Sequence, residues 1–313
     1  MRAVTIDDGR LVVEQRPDPA PARGELLVRV RAAGLNGADM LQLRGHYPAP
    51  PGSPPDIPGL ELAGEVVGLG PDAERFAVGD RLMAVVGGGG QAELATVHER
   101  AAMPVPAGVE WPQAGGIPEV FTTAHDAVFS QAGLRPGEHL LVHGAAGGVG
   151  TAAVQLGREA GARVTATVRR EELRGDVEQL GARAIDPEGF SEHGPFDVVL
   201  ELVGVGNLAE NLRSLATGGR IAVIGVGGSG AAGEINLGAL MGKRGRISGS
   251  TLRARPLEEK AIAMRLVEKE VLPLFEAGRL VVPVAGTFGL DEVEQAYERF
   301  KAGGKFGKLV LLP

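Results

Sequence analysis

A glycine-rich run at residues 143–150, His-Gly-Ala-Ala-Gly-Gly-Val-Gly, carries the clearest chemical signal in this chain. A short apolar run at 140–142 precedes it, a helix-like segment at 151–160 follows it, and a β-branched run at 163–168 comes next. Strand, glycine turn, helix and strand in this order form a βαβ unit whose helix N-terminus points at a pyrophosphate. Glycine suits such a turn because it adopts positive φ and leaves the backbone open to a phosphate. The sequence therefore predicts a dinucleotide site that uses Ala146, Gly147, Gly148 and Val149.

The residues after the second strand of this unit bear on which dinucleotide binds. Domains that prefer NAD place Asp or Glu at this strand end, where it holds the ribose 2′-hydroxyl. Here Arg169 and Arg170 follow the strand, with Glu171 and Glu172 directly behind. Two arginines can hold a 2′-phosphate through charge-assisted, bidentate hydrogen bonds, although the same charges are common at a solvated helix start. The pattern favours NADPH over NADH.

Further contacts to the dinucleotide are expected where neighbouring strands end, because ligands of open α/β sheets bind at the carboxyl edge. The predicted strands in this part of the chain end at Val203 and Gly204, at Gly225, and at Ser250 to Leu252. An ordinary strand-end turn would use the same small residues, so both interpretations stay open.

Composition narrows the class of protein. The 313 residues are enough for about two domains. There is no cysteine, which excludes disulfides, cysteine-bound zinc and thiol catalysis. The net charge of −7 and the lack of a basic cluster argue against a nucleic-acid partner. No apolar stretch approaches the roughly 20 residues of a membrane span, and the N-terminus begins with a strand-like pattern, so we expect a cytoplasmic protein.

The pattern of elements predicts an α/β fold with two domains. Apolar residues alternate with arginines at 25–32, which is typical of a half-buried strand, and short strands continue to about residue 117. Nearly continuous apolar strands then alternate with helices, which indicates a doubly wound parallel sheet. Long helical patterns at 257–278 and 291–301 and a strand at 308–312 close the chain. We therefore predict a dinucleotide-binding Rossmann domain at 118–255, inserted into a discontinuous β-rich domain formed by 1–117 and 256–313.

Two irregular segments interrupt the β-rich part. Residues 45–58 contain six prolines, which predicts a surface loop bordering a cleft. The four glycines at 87–90 are interpreted as a mobile hairpin.

Several segments in the right order resemble the medium-chain dehydrogenase/reductase superfamily over essentially the whole length. More narrowly, the chain resembles its zinc-free quinone oxidoreductases, the ζ-crystallin-like branch. The matching segments are LNGADML at 35–41, RGHYP at 44–48, PGLELAG at 58–64 and GKFGKLV at 304–310. This resemblance implies a GroES-like β-rich catalytic domain beside the Rossmann domain.

Zinc-dependent members of the superfamily bind a catalytic zinc through side chains whose positions can be followed here. The second ligand position is Leu60, the third falls on Glu119, and the first lies near residues 35–37. Leucine offers no lone pair, and one carboxylate without imidazole or thiolate neighbours binds zinc poorly. We therefore predict no metal. Without a Lewis acid, alcohol oxidation is not expected, whereas quinones and conjugated enones accept hydride with far less electrophilic help.

The resemblance also implies roles for individual residues. Asn36 and Thr122 would lie near the nicotinamide, and Lys308 near the cofactor. Tyr47 is the candidate that would hydrogen-bond or protonate the substrate oxygen, although an aromatic residue before proline often only packs. Asn36 would donate its amide to substrate or ribose, or simply cap a turn.

Three other polar side chains are given structural roles. Asp39 and Glu61 are interpreted as architectural acids, paired with basic groups or with nearby loops. Tyr297 is interpreted as a core residue because of its helical spacing with Val293 and Phe300.

The leading hypothesis is an NADPH-dependent quinone reductase that transfers hydride in the interdomain cleft. A second is the reduction of an α,β-unsaturated ketone, aldehyde or thioester with the same geometry. A third, of another class, is an NADPH-binding structural or RNA-associated protein with little turnover, and the net charge of −7 argues against RNA as its partner. Residues 245–252 include an edge strand that would pair across a two-fold axis in a homodimer.

Overall fold

The computed structural model describes all 313 residues. The chain divides into two compact units, one formed by Met1–Thr122 with Leu252–Pro313 and the other by Thr123–Thr251. The sequence placed these boundaries at 117/118 and 255/256. The middle of the chain is thus an insertion into a unit made by both ends.

The secondary structure alternates as the sequence pattern indicated. The strands, in chain order, are β1 Arg2–Asp7, β2 Arg10–Gln15, β3 Glu25–Gly34, β4 Glu61–Leu69, β5 Arg81–Val85, β6 Leu94–His98, β7 Ala102–Pro104, β8 His139–Val142, β9 Arg163–Thr167, β10 Arg183–Ile185, β11 Phe196–Glu201, β12 Leu215–Val223, β13 Arg246–Gly249, β14 Val284–Gly289 and β15 Lys308–Leu312. The α-helices are α1 Gly37–Leu43, α2 Trp111–Ala114, α3 Pro118–His125, α4 Gly148–Glu159, α5 Arg174–Gln179, α6 Leu208–Ser214, α7 Leu237–Lys243, α8 Leu257–Glu270, α9 Leu272–Glu276 and α10 Val293–Lys301. None of these helices combines the length and the apolarity that crossing a membrane requires.

The unit made by the chain ends is built on a seven-stranded sheet. Its strands are ordered β14-β15-β3-β4-β5-β7, with β6 paired to β3, and β1 forms a separate hairpin with β2. In β3 the side chains of Leu26, Val28 and Val30 are buried while Arg29 and Arg31 face solvent, as the alternation predicted. The last strand of the chain, β15, lies between β14 and β3, which anchors the C-terminal segment in the N-terminal sheet.

The inserted unit is a six-stranded, entirely parallel sheet with the order β10-β9-β8-β11-β12-β13. The order reverses at β8, so the turn after β8 lies at the point where ligands of such sheets bind. The strand β13 is an edge strand, and Leu237 and Met241 of the nearby α7 are exposed. Pairing of this edge in a homodimer stays a prediction.

Two predicted elements differ from the structure. The single helix expected at 257–278 is divided into α8 and α9, because Pro273 in the first turn of α9 has no N–H to continue the ladder. The strand predicted to end at Gly225 is β12, which begins at Leu215 directly after α6 and ends at Val223.

The interpretation of residues 87–90 as a mobile hairpin is wrong. Strands β5 and β6 do not pair with each other, and Gly88, Gly89 and Gly90 are buried. The amide of Gly89 donates to the carbonyl of Ile57 at 2.8 Å, and a Cβ at Gly88 would lie 2.9 Å from the carbonyl oxygen of Pro54. The glycines are therefore a packing requirement, since they let this loop lie directly against the proline-rich segment.

The close approach of α4 to the parallel sheet provides a test of the packing. A Cβ at Gly157 would lie 2.8 Å from Leu140 and 3.0 Å from Val164. We expect Gly157→Ala to lower the free energy of unfolding by about 1–3 kcal/mol because it overpacks this interface. Gly175→Ala is the matched control: Gly175 is exposed in α5 with no atom near its Cβ position, so alanine there should add about 0.5–1 kcal/mol of helix propensity. Urea unfolding of both variants checks this, and equal effects would contradict it.

Candidate functional site

The glycine-rich turn joins β8 to α4 in the geometry the sequence predicted. The strand ends at Val142, Gly144 has a φ of +63°, and Gly147 is the N-cap of α4. A Cβ at Gly150 would lie 2.5 Å from the carbonyl oxygen of Gly144, so only glycine lets the helix start this close to the turn. The unsatisfied N–H groups of the first helical turn and the helix dipole favour an anion here. The turn thus fits the pyrophosphate of a dinucleotide.

A buried polar network lies beneath this edge of the sheet, and sequence reasoning missed it. The ring of His143 bonds Thr167 at 3.0 Å through Nδ1 and Asn211 at 2.8 Å through Nε2. The amide nitrogen of Asn211 donates to Glu201 at 2.9 Å. Burial lowers the pKa of His143, and the Glu201 carboxylate and the Asn211 hydrogen bond oppose this effect. The signal that could have revealed it is a polar residue at the end of each of three apolar strands.

The same network positions the loop after β11. The Glu201 carboxylate accepts hydrogen bonds from the backbone amides of Val203 at 2.7 Å and Gly204 at 2.8 Å. The carbonyl of Val203 in turn accepts from Gly228 at 2.9 Å. A Cβ at Gly225 would lie 2.6 Å from the carbonyl of Leu202. The predicted contacts Val203, Gly204 and Gly225 therefore lie together at the carboxyl edge.

The two other predicted strand-end contacts fall on different units. Ser250 follows β13 in the inserted unit, where its amide donates to Val223 at 3.2 Å. Leu252 is buried and belongs to the unit made by the chain ends. Their contacts to a cofactor stay predictions.

The two arginines after β9 are both exposed. Arg170 lies 3.3 Å from Glu172, whereas Arg169 has no ion-pair partner in the structure. The nearby Arg174 is used otherwise, since its guanidinium donates to the carbonyl of Val168 and pairs with Asp186. Arg169 thus keeps all its donors for a ligand, while a contact of Arg169 and Arg170 to a phosphate stays a prediction.

In the unit made by the chain ends, a buried ion pair joins Lys308 to Glu61. The Lys308 Nζ lies 2.6 Å from Glu61 Oε1, 2.8 Å from Asn36 Oδ1 and 2.8 Å from the carbonyl oxygen of Leu35. The Lys308 and Glu61 side chains are 2% and 0% exposed. All three N–H donors of the ammonium are used inside the protein, and these contacts do not support the expected approach of Lys308 to the cofactor.

The hydrogen-bonding groups of the Asn36 amide are likewise used inside the protein. Its Nδ2 donates to Glu61 at 2.9 Å and to the carbonyl of Gly34 at 3.2 Å, while its Oδ1 accepts from Lys308. A lysine has no acceptor and a carboxylate has no donor, so these partners fix the orientation of the amide. Both amide hydrogens are therefore occupied inside the protein. Asn36 thus has a structural role, and neither amide hydrogen is left for a substrate in this arrangement.

Asp39 completes the cluster as a buried cap. Its carboxylate accepts from the amide of Asn36 at 2.8 Å and from the amide of Gly59 at 3.1 Å. Burial raises the pKa of Asp39 to about 6, against the effect of these hydrogen bonds and of the Lys308 charge. The architectural interpretation of Asp39 and Glu61 is confirmed.

The residues at the predicted ligand positions do not fit a catalytic zinc. Leu60 is buried and apolar, Asn36 is bonded to Lys308, and Glu119 at the third position offers a single carboxylate. The nearby Glu61 carboxylate already holds a cation in the form of the Lys308 ammonium. A zinc ion beside Lys308 would meet like charge and lack imidazole or thiolate ligands. The donor set therefore argues against a metal centre in this cluster.

Tyr47 lies half-buried in the proline-rich segment, with charged groups nearby. Burial raises the pKa of the Tyr47 phenol, the Glu119 carboxylate adds to the increase, and the Arg253 guanidinium opposes it. The phenol therefore keeps its proton at neutral pH and can donate a hydrogen bond. Sequence reasoning missed Arg253, whose guanidinium lies 5.2 Å from the centroid of the Tyr47 ring.

Glu119 also acts on Lys260, which sequence reasoning did not select. Burial lowers the pKa of the Lys260 ammonium, and the Glu119 charge opposes this. The backbone amide of Glu119 donates to Glu61 Oε2 at 2.9 Å, which ties the start of α3 to the ion pair. Thr122, one turn further along α3, is fully buried, and its hydroxyl lies 3.5 Å from the sulfur of Met264. Its contact to a nicotinamide stays a prediction.

Comparison with known proteins agrees with this arrangement. Residues 22–107 match the alcohol dehydrogenase GroES-like domain, and residues 175–311 match the zinc-binding dehydrogenase family. Human quinone oxidoreductase is 31% identical to this chain over 330 residues, which cover 100% of this chain and 98% of the human protein. The chain belongs to the medium-chain dehydrogenase/reductase superfamily. Within it, the chain falls in the zinc-free quinone oxidoreductase branch, and the predicted two-domain fold is confirmed.

Other known proteins are similar to this chain over their full length. The acryloyl-coenzyme A reductase of Metallosphaera sedula is 31% identical over 343 residues, covering 99% of each chain. A mycobacterial protein solved in complex with NADPH is 27% identical, with a TM-score of 0.87 and full coverage of both chains. The protein is therefore an oxidoreductase of this superfamily.

The buried ion pair makes a prediction about stability. We expect Lys308→Met to lower the free energy of unfolding by about 3–5 kcal/mol, because it leaves the buried Glu61 charge without its partner. The double variant Lys308→Met/Glu61→Gln should regain part of this loss. As a control, Arg31→Met breaks the exposed Arg31–Glu65 pair on neighbouring strands, which should cost at most about 1 kcal/mol. Urea unfolding measures all three, and a K308M protein as stable as wild type would refute the account.

Proposed function

We propose that the protein is an NADPH-dependent quinone reductase that works without a metal ion. The observation that carries the proposal is the Lys308 ammonium bound to Glu61 and Asn36, next to the positions where zinc-dependent relatives hold their metal. A site that holds this ammonium and offers a zinc ion neither imidazole nor thiolate lacks the Lewis acid that alcohol oxidation requires at neutral pH. Quinones need no such assistance, because the product of hydride addition is a stabilised oxyanion.

The chain's own residues account for cofactor binding in this proposal. The turn at Gly147 and the N-terminus of α4 hold the pyrophosphate, and Arg169 with Arg170 hold the 2′-phosphate. Val203, Gly204 and Gly225 line the same edge of the sheet and admit the cofactor because they are small or lack side chains. The bound nicotinamide supplies the hydride.

Tyr47 is the proposed catalytic residue. Its phenol is protonated at neutral pH, because burial and Glu119 raise its pKa. It can therefore donate a hydrogen bond to the substrate oxygen that gains negative charge as hydride arrives. The Tyr297 phenol cannot take this role, since it is 4% exposed and donates to Gln91 at 3.0 Å.

Reduction of conjugated enones or thioesters is the second candidate. The observation in its favour is the similarity to an acryloyl-coenzyme A reductase, which equals the similarity to the human quinone oxidoreductase. Both reactions use the same donor and the same hydrogen bond to an oxyanion, so they differ only in the shape and charge of the substrate pocket.

A substrate panel decides between the candidates. NADPH and NADH oxidation by the purified protein is followed with an ortho-quinone, with a simple enone and with acryloyl-coenzyme A. We expect rapid turnover of the quinone with NADPH and little with NADH. Turnover of the enone or thioester without the quinone would move the protein to the second candidate. Turnover that prefers NADH would refute the cofactor assignment.

The arginines after β9 can be tested separately. We expect Arg169→Ala to raise the KM for NADPH by about tenfold or more, because a hydrogen bond to a charged group contributes roughly 1.5–3 kcal/mol. The KM for NADH should not change, since NADH has no 2′-phosphate. Arg246→Ala is the control, because Arg246 is an exposed arginine at the amino edge of the same sheet. An equal rise for both cofactors would show that Arg169 does not recognise the 2′-phosphate.

A further inference from the structure

The segment that carries Tyr47 cannot hold its own conformation through backbone hydrogen bonds. Residues 45–58 include six prolines, which have no N–H to donate. One backbone hydrogen bond forms within the segment, from the amide of Ser53 to the carbonyl of Pro50 at 3.1 Å. Its shape must therefore come from contacts with other parts of the chain.

Arg253 provides such contacts from a position far along the sequence, at the start of the C-terminal part (Leu252–Pro313) of the unit made by the chain ends. Its side chain is 2% exposed. Its Nη1 donates to the carbonyl of Tyr47 at 2.8 Å, its Nε to the carbonyl of Gly87 at 2.8 Å, and its Nη2 to Gln42 Oε1 at 2.6 Å. One guanidinium thus joins the proline-rich segment, the glycine loop after β5 and helix α1.

Gln42 extends this connection to a second point of the segment. Its Oε1 accepts from Arg253, and its Nε2 donates to the carbonyl of Pro55 at 3.3 Å. Arginine has no acceptor, so this contact fixes which end of the amide faces which partner. The segment is therefore held near both of its ends, at Tyr47 and at Pro55.

The three acceptors of the guanidinium are neutral oxygens, so its positive charge is not cancelled by a directly bonded carboxylate. Asp39 and Glu119 act on it from a greater distance. The guanidinium also lies over the Tyr47 ring, where a cation is attracted to the π-face. Arg253 consequently holds the backbone of Tyr47 and places a positive charge against its phenol.

We propose that Arg253 is the positioning residue for Tyr47. It fixes the conformation of the segment at 45–58, so that the Tyr47 hydroxyl meets the substrate oxygen in one orientation, and its charge favours the electron-rich phenol. Arg253 does not touch the substrate in this scheme. The catalytic part of this inference rests on the proposed function, whereas the coupling between Arg253 and Tyr47 does not.

Tyrosine ionisation tests the coupling without any substrate. The chain has two tyrosines, and burial raises the pKa of Tyr297 well above its ordinary value. The tyrosinate absorbance of the folded protein therefore reports Tyr47, and its loss in Tyr47→Phe verifies the assignment. We expect Arg253→Met to move this titration to higher pH, because a nearby positive charge favours the phenolate, and Arg253→Lys to restore part of the difference. Circular dichroism shows the pH range in which every variant is folded, and the titrations are compared within that range.

A matched control separates this effect from a general loss of packing. Arg75 also stacks on an aromatic ring, with its guanidinium 5.1 Å from the Phe76 centroid, and also donates to backbone carbonyls, those of Glu99 and Ala102. Unlike Arg253, Arg75 also pairs with a carboxylate, that of Glu268 at 2.6 Å. Arg75→Met therefore removes stacking, backbone hydrogen bonds and an ion pair in addition, all away from Tyr47. It should leave the Tyr47 titration unchanged.

A double-mutant cycle tests the positioning in turnover. We expect R253M to lower kcat/KM by about tenfold, since loss of orientation at a reacting group slows the reaction. In the Y47F background the same substitution should lower kcat/KM by a clearly smaller factor. If Y47F retains full turnover, the catalytic role of Tyr47 in the proposed function is refuted, and the titration alone then decides the coupling. A Tyr47 titration in R253M that coincides with wild type would overturn the inference. A loss of kcat/KM equally large in the Y47F background would overturn it as well.

Discussion

A buried ammonium–carboxylate pair is the interaction around which the unit made by the chain ends is arranged. Lys308 begins the last strand, Glu61 begins β4, and Asn36 is the N-cap of α1. Because charges taken out of water must be paired and fully hydrogen-bonded, these three elements have one acceptable arrangement. The amide of Glu119 at the start of α3 is held by the same carboxylate. The pair thus locates four elements that are distant in sequence.

This constraint also decides what chemistry the cluster can perform. A cation that belongs to the chain neutralises Glu61, and the neighbouring ligand positions offer a leucine, an already bonded asparagine and the single carboxylate of Glu119. In the proposed function the electrophilic assistance to a substrate comes from the protonated Tyr47 phenol, and the backbone of Tyr47 is held by a second buried cation, Arg253. One cation therefore supports the scaffold and the other supports the side chain proposed to meet the substrate.

The inserted unit is held together differently, by a buried hydrogen-bond network around the Glu201 carboxylate. Its glycine turn must stay open to an anion, so the loops around it cannot be held by side chains that fill the space. Instead, Glu201, Asn211 and His143 bond them from the buried side of the carboxyl edge. The glycines leave space for the anion, and the hydrogen-bond network restricts the backbone freedom that glycine allows.

The sequence by itself determined the local features: the βαβ unit around the glycine turn at 143–150, the parallel sheet, the insertion of one unit into the other, and the core position of Tyr297. Each follows from periodicity or from residue types that are neighbours along the chain. Only the tertiary structure decided how Lys308 is used, that residues 87–90 are packed glycines, and that Arg253 and Gln42 hold Tyr47. These depend on contacts between residues up to 273 positions apart. A lone lysine or arginine in a sequence carries no mark of its partner, because the desolvation that forces the pairing exists only once the chain has folded.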